Sequence, residues 1–430
     1  MPDHWVVGDQ FGLPIPADPV TLRDGGAAFL TDAFRAFGVL GDADAVSRIV
    51  GFEEFPGGST GRKVALDVEY CGHTTSLSTE LFVKFSRDLD SPLRDVGKAQ
   101  MQPEVRFAVL TRTPGFPIAV PTAQFADYHR DTGTGILITE RIPFGTNGIE
   151  RQYHKCLDYE MPDALAHYRA LLTALARLAG AHRAGGLPAD LLAHFPVDVR
   201  AATVGQRAPM PADTVRRRVD QVAELAQDHP GLLPSEVGAP NFIARLREEV
   251  PRVVRHADAL LHGLAADDDY VALCHWNANV DNAWFWRDAG GQLRCGLLDW
   301  GCVGQMNMGM AIWGAMSAAE TDLWTTHFDD LLGLFVAEVH RCGGPGLDPG
   351  RLRRHTLLYA AAMGTAWLLD VPALLRKRFD PMPRSRTDPR IRAHEGVRAP
   401  LQMLSNLLCA WERYDVGDLL DAALAERACR

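Results

Sequence analysis

The chain has 430 residues, 47% of them hydrophobic and 23% charged, a composition that fits about three globular domains of ~150 residues and excludes a disordered chain. The 54 acids outweigh the 44 bases, for a net charge of -10, which argues against a nucleic-acid binder, because such affinity comes mainly from Lys and Arg on phosphates. No apolar run approaches the ~20 residues of a membrane helix, and the start Met1-Pro2-Asp3-His4-Trp5 lacks the basic-then-apolar pattern of a secretory leader, so no membrane span and a cytoplasmic location are expected.

Residues 1–20 are rich in Pro, Asp and Gly and read as an extended arm. Phe29, Ala33 and Phe37 then recur at helical spacing, predicting a helix from about Arg23 that Gly38 closes. The period next changes to two. Strands are predicted over Val46–Phe55, Lys63–Tyr70 and Glu80–Ser86. Val64, Leu66, Val68 and Tyr70 line one face of the second; Leu81, Val83 and Phe85 line one face of the third. The turn Pro56-Gly57-Gly58-Ser59-Thr60-Gly61 joins the first two. A helix carrying Glu104, Val105, Val109 and Leu110 follows, with Pro103 in its first turn. Strands over Ala123–His129 and Ile136–Arg141 flank a turn at Asp131-Thr132-Gly133-Thr134-Gly135.

Beyond Gly145 helical periodicity dominates: over Asp163–Arg183, Phe242–Leu264, Asp329–His340 and Arg351–Leu369. Val271–Leu298 is the exception, with short strand-like pieces around a turn at Asp288-Ala289-Gly290-Gly291. A stretch at Arg376–Pro400 holds eight Lys or Arg against three acids and reads as a solvated loop. The predicted organisation is an arm and helix over 1–45, a β-rich part over 46–145 and a helical part over 146–430. The fold class is α+β.

The chemistry concentrates in Leu273-Cys274-His275-Trp276-Asn277-Ala278-Asn279-Val280-Asp281-Asn282 and, after a short hairpin, Leu298-Asp299-Trp300-Gly301. The hairpin is expected to bring Asn282 and Asp299 toward each other. An amide oxygen and a carboxylate suit Mg²⁺, a hard cation that keeps waters and phosphates as its other ligands. The eight cysteines form no C-x-x-C pair and read as reduced thiols. A zinc site from Cys274, His275, Cys295 and Cys302 fits no short-spaced pattern. Gly57-Gly58-Ser59-Thr60-Gly61 matches G-x-S-x-G, but that elbow needs a helix after it, and a strand is predicted there. No Walker-type G-x-x-x-x-G-K-[ST] is present.

The order His275, Asn277, Asn282, then Asp299-Trp300-Gly301 resembles the catalytic and metal loops of kinase-fold small-molecule phosphotransferases, the family of aminoglycoside phosphotransferases, choline kinases and ecdysteroid-kinase-like enzymes. The resemblance runs from about Val46 to Ile312. Leu81-Phe82-Val83-Lys84-Phe85 is similar to the family's third strand, Glu104 to its helix glutamate, and Ile138-Thr139-Glu140-Arg141-Ile142 to its adenine hinge. Leu175–His182 resembles the helix before the catalytic loop. What the resemblance implies is a bilobal protein-kinase-like fold, a small antiparallel N-lobe and a larger helical C-lobe with loops over 271–301. The implied activity is ATP-dependent, Mg²⁺-assisted phosphorylation of a small-molecule hydroxyl. Lys84, oriented by Glu104, would hold the phosphates. Gly57, Gly58 and Gly61 would let backbone approach them, Glu140 and Ile142 would hold the base, and Asn282 and Asp299 the metal.

Two departures stand out. Asn277 occupies the family's catalytic-aspartate position, and an amide cannot take a hydroxyl's proton; such base help is worth ~10²–10⁴-fold. Asp281 is the substitute the loop offers. Gly304–Ala311 lacks both acids of the segment that usually follows. His275 is read as structural, and Trp276 as either core or substrate contact. The alternative function is a nucleotide-binding pseudokinase acting through a partner.

Overall fold

Alternating apolar residues build the first sheet. The computed structural model describes residues 4–55, 61–72, 77–88, 101–198 and 210–428. Its chain divides into two units. The first comprises Met1–Ile149, Leu187–Pro196 and Gly296–Val303, so Asp299, expected with the helical part, packs in this β-rich unit.

The first unit opens with a short pair, β1 (Trp5–Val7) and β2 (Pro14–Pro16), and a helix, α1 (Pro19–Ala36), that kinks at Gly26. The side chain of Asp18 caps α1 by accepting from the Thr21 amide, and Gly38 takes the left-handed conformation just past its end, as its sequence position predicts. Strands β3 (Ala45–Phe55), β4 (Lys63–Cys71) and β5 (Glu80–Phe85), helix α2 (Met101–Leu110), and strands β6 (Ala123–His129) and β7 (Thr134–Glu140) follow. The five long strands form one antiparallel sheet in the order β3-β4-β5-β7-β6. Val64, Leu66 and Val68 are buried, as are Leu81, Val83 and Phe85. They pack with Phe29, Phe34, Phe37 and Phe125 in one apolar core.

The second unit is mainly helical. It contains α3 (Ala164–Arg183), α4 (Ala212–Asp228), α5 (Pro240–Ala265), β8 (Val271–His275), β9 (Ala283–Arg287) and most of β10 (Leu293–Leu297) and β11 (Val303–Asn307). Its longer helices continue with α6 (Met308–Met316), α7 (Phe328–Arg341), α8 (Pro349–Trp367), α9 (Val371–Arg378), α10 (Glu395–Arg413) and α11 (Val416–Ala428). Helix α6 is buried along its whole length, and its glycines set how close it lies to its neighbours. A Cβ on Gly314 would sit 1.6 Å from the carbonyl oxygen of Trp276. Only glycine admits that approach.

The basic stretch is largely exposed, as expected, but it is not all loop. Most of it is helical, and its arginines are paired: Arg376 with Glu224, Arg386 with Glu320 and Arg392 with Glu160. Among the described residues no single helix is long and apolar enough to cross a membrane. The bent pair α8 and α9 passes that test only when joined.

Candidate active site

In the first unit, period-two alternation turns Lys84 away from the face that Val83 and Phe85 give to the core. Lys84 is nonetheless only 3% exposed. Its Nζ donates to Glu104 Oε2 at 2.6 Å and to Asp299 Oδ1 at 2.6 Å. The three residues come from β5, α2 and the segment after β10, so side chains 215 positions apart meet on one ammonium. Burial opposes the charge on Lys84, but the Asp299 and Glu104 carboxylates overrule it and hold its pKa above the ordinary lysine value. Burial pushes the Glu104 carboxyl up, and the Asp299 charge adds to this against the pull of Lys84.

Helix α2 grips the same segment twice. Glu104 Oε1 accepts from the Trp300 amide at 3.2 Å. One turn on, Phe107 stacks on the Trp300 indole with ring centroids 3.8 Å apart. The indole N–H donates to the Leu297 carbonyl at 3.0 Å. Asp299 sits between these anchors with φ 62° and ψ 63°, a left-handed conformation that costs a non-glycine residue on the order of 1–3 kcal/mol.

The other nucleotide-site expectations fall differently. Gly57 and Gly58 lie outside the described residues. Gly61 has φ 151°, and a Cβ there would lie 1.8 Å from the Phe85 carbonyl oxygen, so the approach to β5 requires glycine. The Glu140 side chain is committed to Thr122, accepting from its amide at 2.8 Å and its hydroxyl at 2.9 Å. The last ladder bond runs from the Arg141 amide to the Glu80 carbonyl, 2.9 Å, and Ile142 follows it.

In the second unit the catalytic-type loop is held by its own amides. The Asn277 backbone N–H donates to His275 Nδ1 at 3.3 Å. Its carbonyl accepts from Asn282 Nδ2 at 2.8 Å and from the Asn279 amide at 2.9 Å. Its side-chain Oδ1 accepts from Asn279 Nδ2 at 2.9 Å. Asp281 lies 3.5 Å from Lys155 Nζ through Oδ2, while its Oδ1 is buried without a hydrogen-bond partner. Burial raises its carboxyl above the usual range. His275 is fully buried, in keeping with a structural role. The Trp276 indole is buried and donates to the Tyr359 hydroxyl at 2.7 Å.

Sequence reasoning missed Asp158. It is 1% exposed, accepts from the Tyr168 hydroxyl at 2.9 Å and the Glu320 amide at 3.1 Å, and keeps a second oxygen buried and unpartnered. Burial pushes its carboxyl up to about 7. No spacing signal marks it, because its partners lie on distant segments.

No family model matches the chain, and no curated protein matches it. Among solved structures it is similar to an ethanolamine kinase of Plasmodium vivax, at 11% identity over 87% of this chain and 84% of that one, with a TM-score of 0.42. It is similar to a microcompartment-associated aminopropanol kinase, at 11% identity over 90% and 99% of the two chains, TM-score 0.42. It is likewise similar to a choline kinase of Cryptosporidium parvum, at 10% identity over 86% and 91%, TM-score 0.40.

Proposed function

We propose that the chain is a nucleotide-dependent phosphotransferase that moves the terminal phosphoryl group of ATP to a small-molecule acceptor, a hydroxyl by the family resemblance. The observation that carries this reading is the convergence of Lys84, Glu104 and Asp299 on one buried ammonium. Phosphoryl transfer asks a protein mainly for positioning and charge neutralisation. Lys84 is a point charge suited to phosphate oxygens, and Glu104 orients it. Gly61, with Gly57 and Gly58, and the Glu140 and Ile142 backbone are the proposed contacts to phosphates and base.

The donor set fits Mg²⁺. Asp299 accepts from Lys84 through Oδ1 and is 30% exposed, a carboxylate of the kind a hard cation takes. Asn282 spends its Nδ2 on the Asn277 carbonyl, which leaves its Oδ1 as the metal-type oxygen. Asp299 and Asn282 are the proposed ligands, and the bound cation would neutralise charge on the transferring group. Asp281 is the carboxylate proposed to take a hydroxyl's proton in place of Asn277.

Calorimetric titration with Mg²⁺-ATP tests the first half of the reading: binding to the native chain and at least tenfold weaker binding to Lys84→Met are expected. ADP release with a metabolite pool, abolished by Asp299→Ala, tests the second. Asn277 favours one other reading, a nucleotide-binding pseudokinase. Tight binding with no turnover in either the native chain or Asn277→Asp would establish it.

A further inference from the structure

Asn277 has only geometry to offer an acceptor. Its side-chain oxygen takes a hydroxyl's hydrogen bond but not the proton, and it carries no charge to strengthen that bond. An amide therefore helps transfer only when its oxygen is held where the attacking hydroxyl must point. The half-buried Asn277 side chain has one hydrogen-bond partner among the described residues. Asn279 Nδ2 donates to Asn277 Oδ1 at 2.9 Å, and that oxygen keeps a second lone pair.

The side chain of Asn279 is not needed to frame the loop. The backbone does that: the Asn279 N–H donates to the Asn277 carbonyl at 2.9 Å, and its carbonyl accepts from the Asn282 amide at 2.9 Å. From outside, the Trp276 indole is bonded to Tyr359, and Gly314 lies against the Trp276 carbonyl. Asn279 is 2% exposed, and its side chain bonds to Asn277 alone, because its Oδ1 is buried with no partner among the described residues. A buried polar atom left unpaired costs stability. Leucine has nearly the same shape and no such atom. An amide that lowers stability beside a catalytic-type group is the pattern of a residue serving activity.

We propose that Asn279 is a positioning residue for the transfer: its side chain clamps the Asn277 amide so that the free lone pair of Oδ1 meets the acceptor's attacking hydroxyl. This rests on the phosphotransferase reading and deepens it. Asn277 touches the acceptor, and Asn279 acts only through Asn277. The bond from Asn279 to Asn282, a proposed metal ligand, comes from the Asn279 backbone carbonyl, which every substitution retains. Loss of the clamp therefore slows transfer and leaves nucleotide binding as it is.

The test compares the full chain with Asn279→Leu, using Mg²⁺-ATP and a panel of sugars and amino alcohols. Mg²⁺-ATP affinity by calorimetry should be unchanged, the urea midpoint equal or higher, and kcat lower by about tenfold or more. In an Asn277→Ala background the same exchange should cost no further turnover, whereas a merely structural residue would lower it again. NMR with selective isotope labelling of asparagine reads the clamp without any acceptor: the Asn277 side-chain amide should lose order in Asn279→Leu. An unchanged kcat, an equal loss in both backgrounds, a lowered urea midpoint, or an Asn277 amide as ordered as before would each overturn the proposal. Turnover by the native chain would still leave the phosphotransferase reading standing in those cases. A native chain with no turnover of any acceptor overturns that reading and the proposal together.

Discussion

Replacing Lys84 by methionine removes the cation that bridges the Glu104 and Asp299 carboxylates. At 2.6 Å and an effective dielectric of 20, each ion pair is worth ~6 kcal/mol of attraction. The cost of burying the ammonium and Glu104 offsets much of this, and truncating one partner of a buried pair typically costs ~3–5 kcal/mol. Asp299 is 30% exposed and partly screened, so the lower end applies and Lys84→Met should lose ~3 kcal/mol at pH 8. The loss depends on pH with a fixed sign. Glu104 has a raised pKa in the folded chain, relative to 4.5. Without Lys84 it rises further. Over that widened window the folded variant binds more protons than the unfolded chain, so its stability falls as pH rises above about 4.5 and recovers on acidification. Urea unfolding of both proteins at pH 5, 7 and 8.5 reads this directly. A penalty below ~1 kcal/mol, or one that does not shrink at pH 5, would refute the buried triad.

Three further outcomes are expected. Gly314→Ala must separate α6 from the Trp276 carbonyl, which a Cβ would approach to 1.6 Å. A cost of ~1–3 kcal/mol in urea unfolding, with ADP release lowered more than nucleotide affinity, is expected from overpacking beside the catalytic-type loop. Asp158 has a folded pKa of about 7 against 3.8 for the ordinary carboxyl, so its ionisation destabilises the fold as pH rises from 3.8 through 7, by on the order of 4 kcal/mol in full. Asp158→Asn should flatten that part of the stability-pH curve; an unchanged curve would place the titration elsewhere. Gly61→Ala, whose Cβ would meet the Phe85 carbonyl oxygen at 1.8 Å, should weaken Mg²⁺-ATP binding at least tenfold by disturbing the strand that carries Lys84.

Much of the first unit was legible because one period rules each element. Val64, Leu66 and Val68, and then Leu81, Val83 and Phe85, alternate cleanly, and all six are buried. Lys84 could therefore be placed on the opposite face of β5. Its depth could not be foreseen, since burial comes from α2 and the 296–303 segment closing over it. Trp300 was visible as a residue, but its stack on Phe107 was not. Glu104 and Phe107 stand three residues apart on one helical face, and only knowledge of what lies against that face turns the spacing into a grip on Asp299 and Trp300. The basic stretch is solvated as read, but its helices and its acidic partners were not legible: a charge run marks an exposed face without fixing the backbone, and Glu160, Glu224 and Glu320 lie at remote positions.

Asn277 marks where sequence reasoning stops. The letter alone establishes that no carboxylate stands there, and so poses a choice between a weakened enzyme and a binding module. That choice assumes the acceptor must lose a proton. The amide oxygen of Asn277 accepts from Asn279 Nδ2 and keeps a second lone pair, so it can accept a hydroxyl's hydrogen bond but cannot take the proton. Exchanging Asn277 for Asp supplies a carboxylate at the same place. A rise in ADP release in that variant, at unchanged Mg²⁺-ATP affinity, identifies a lost base; no turnover in either form, with tight nucleotide binding, identifies a binding module.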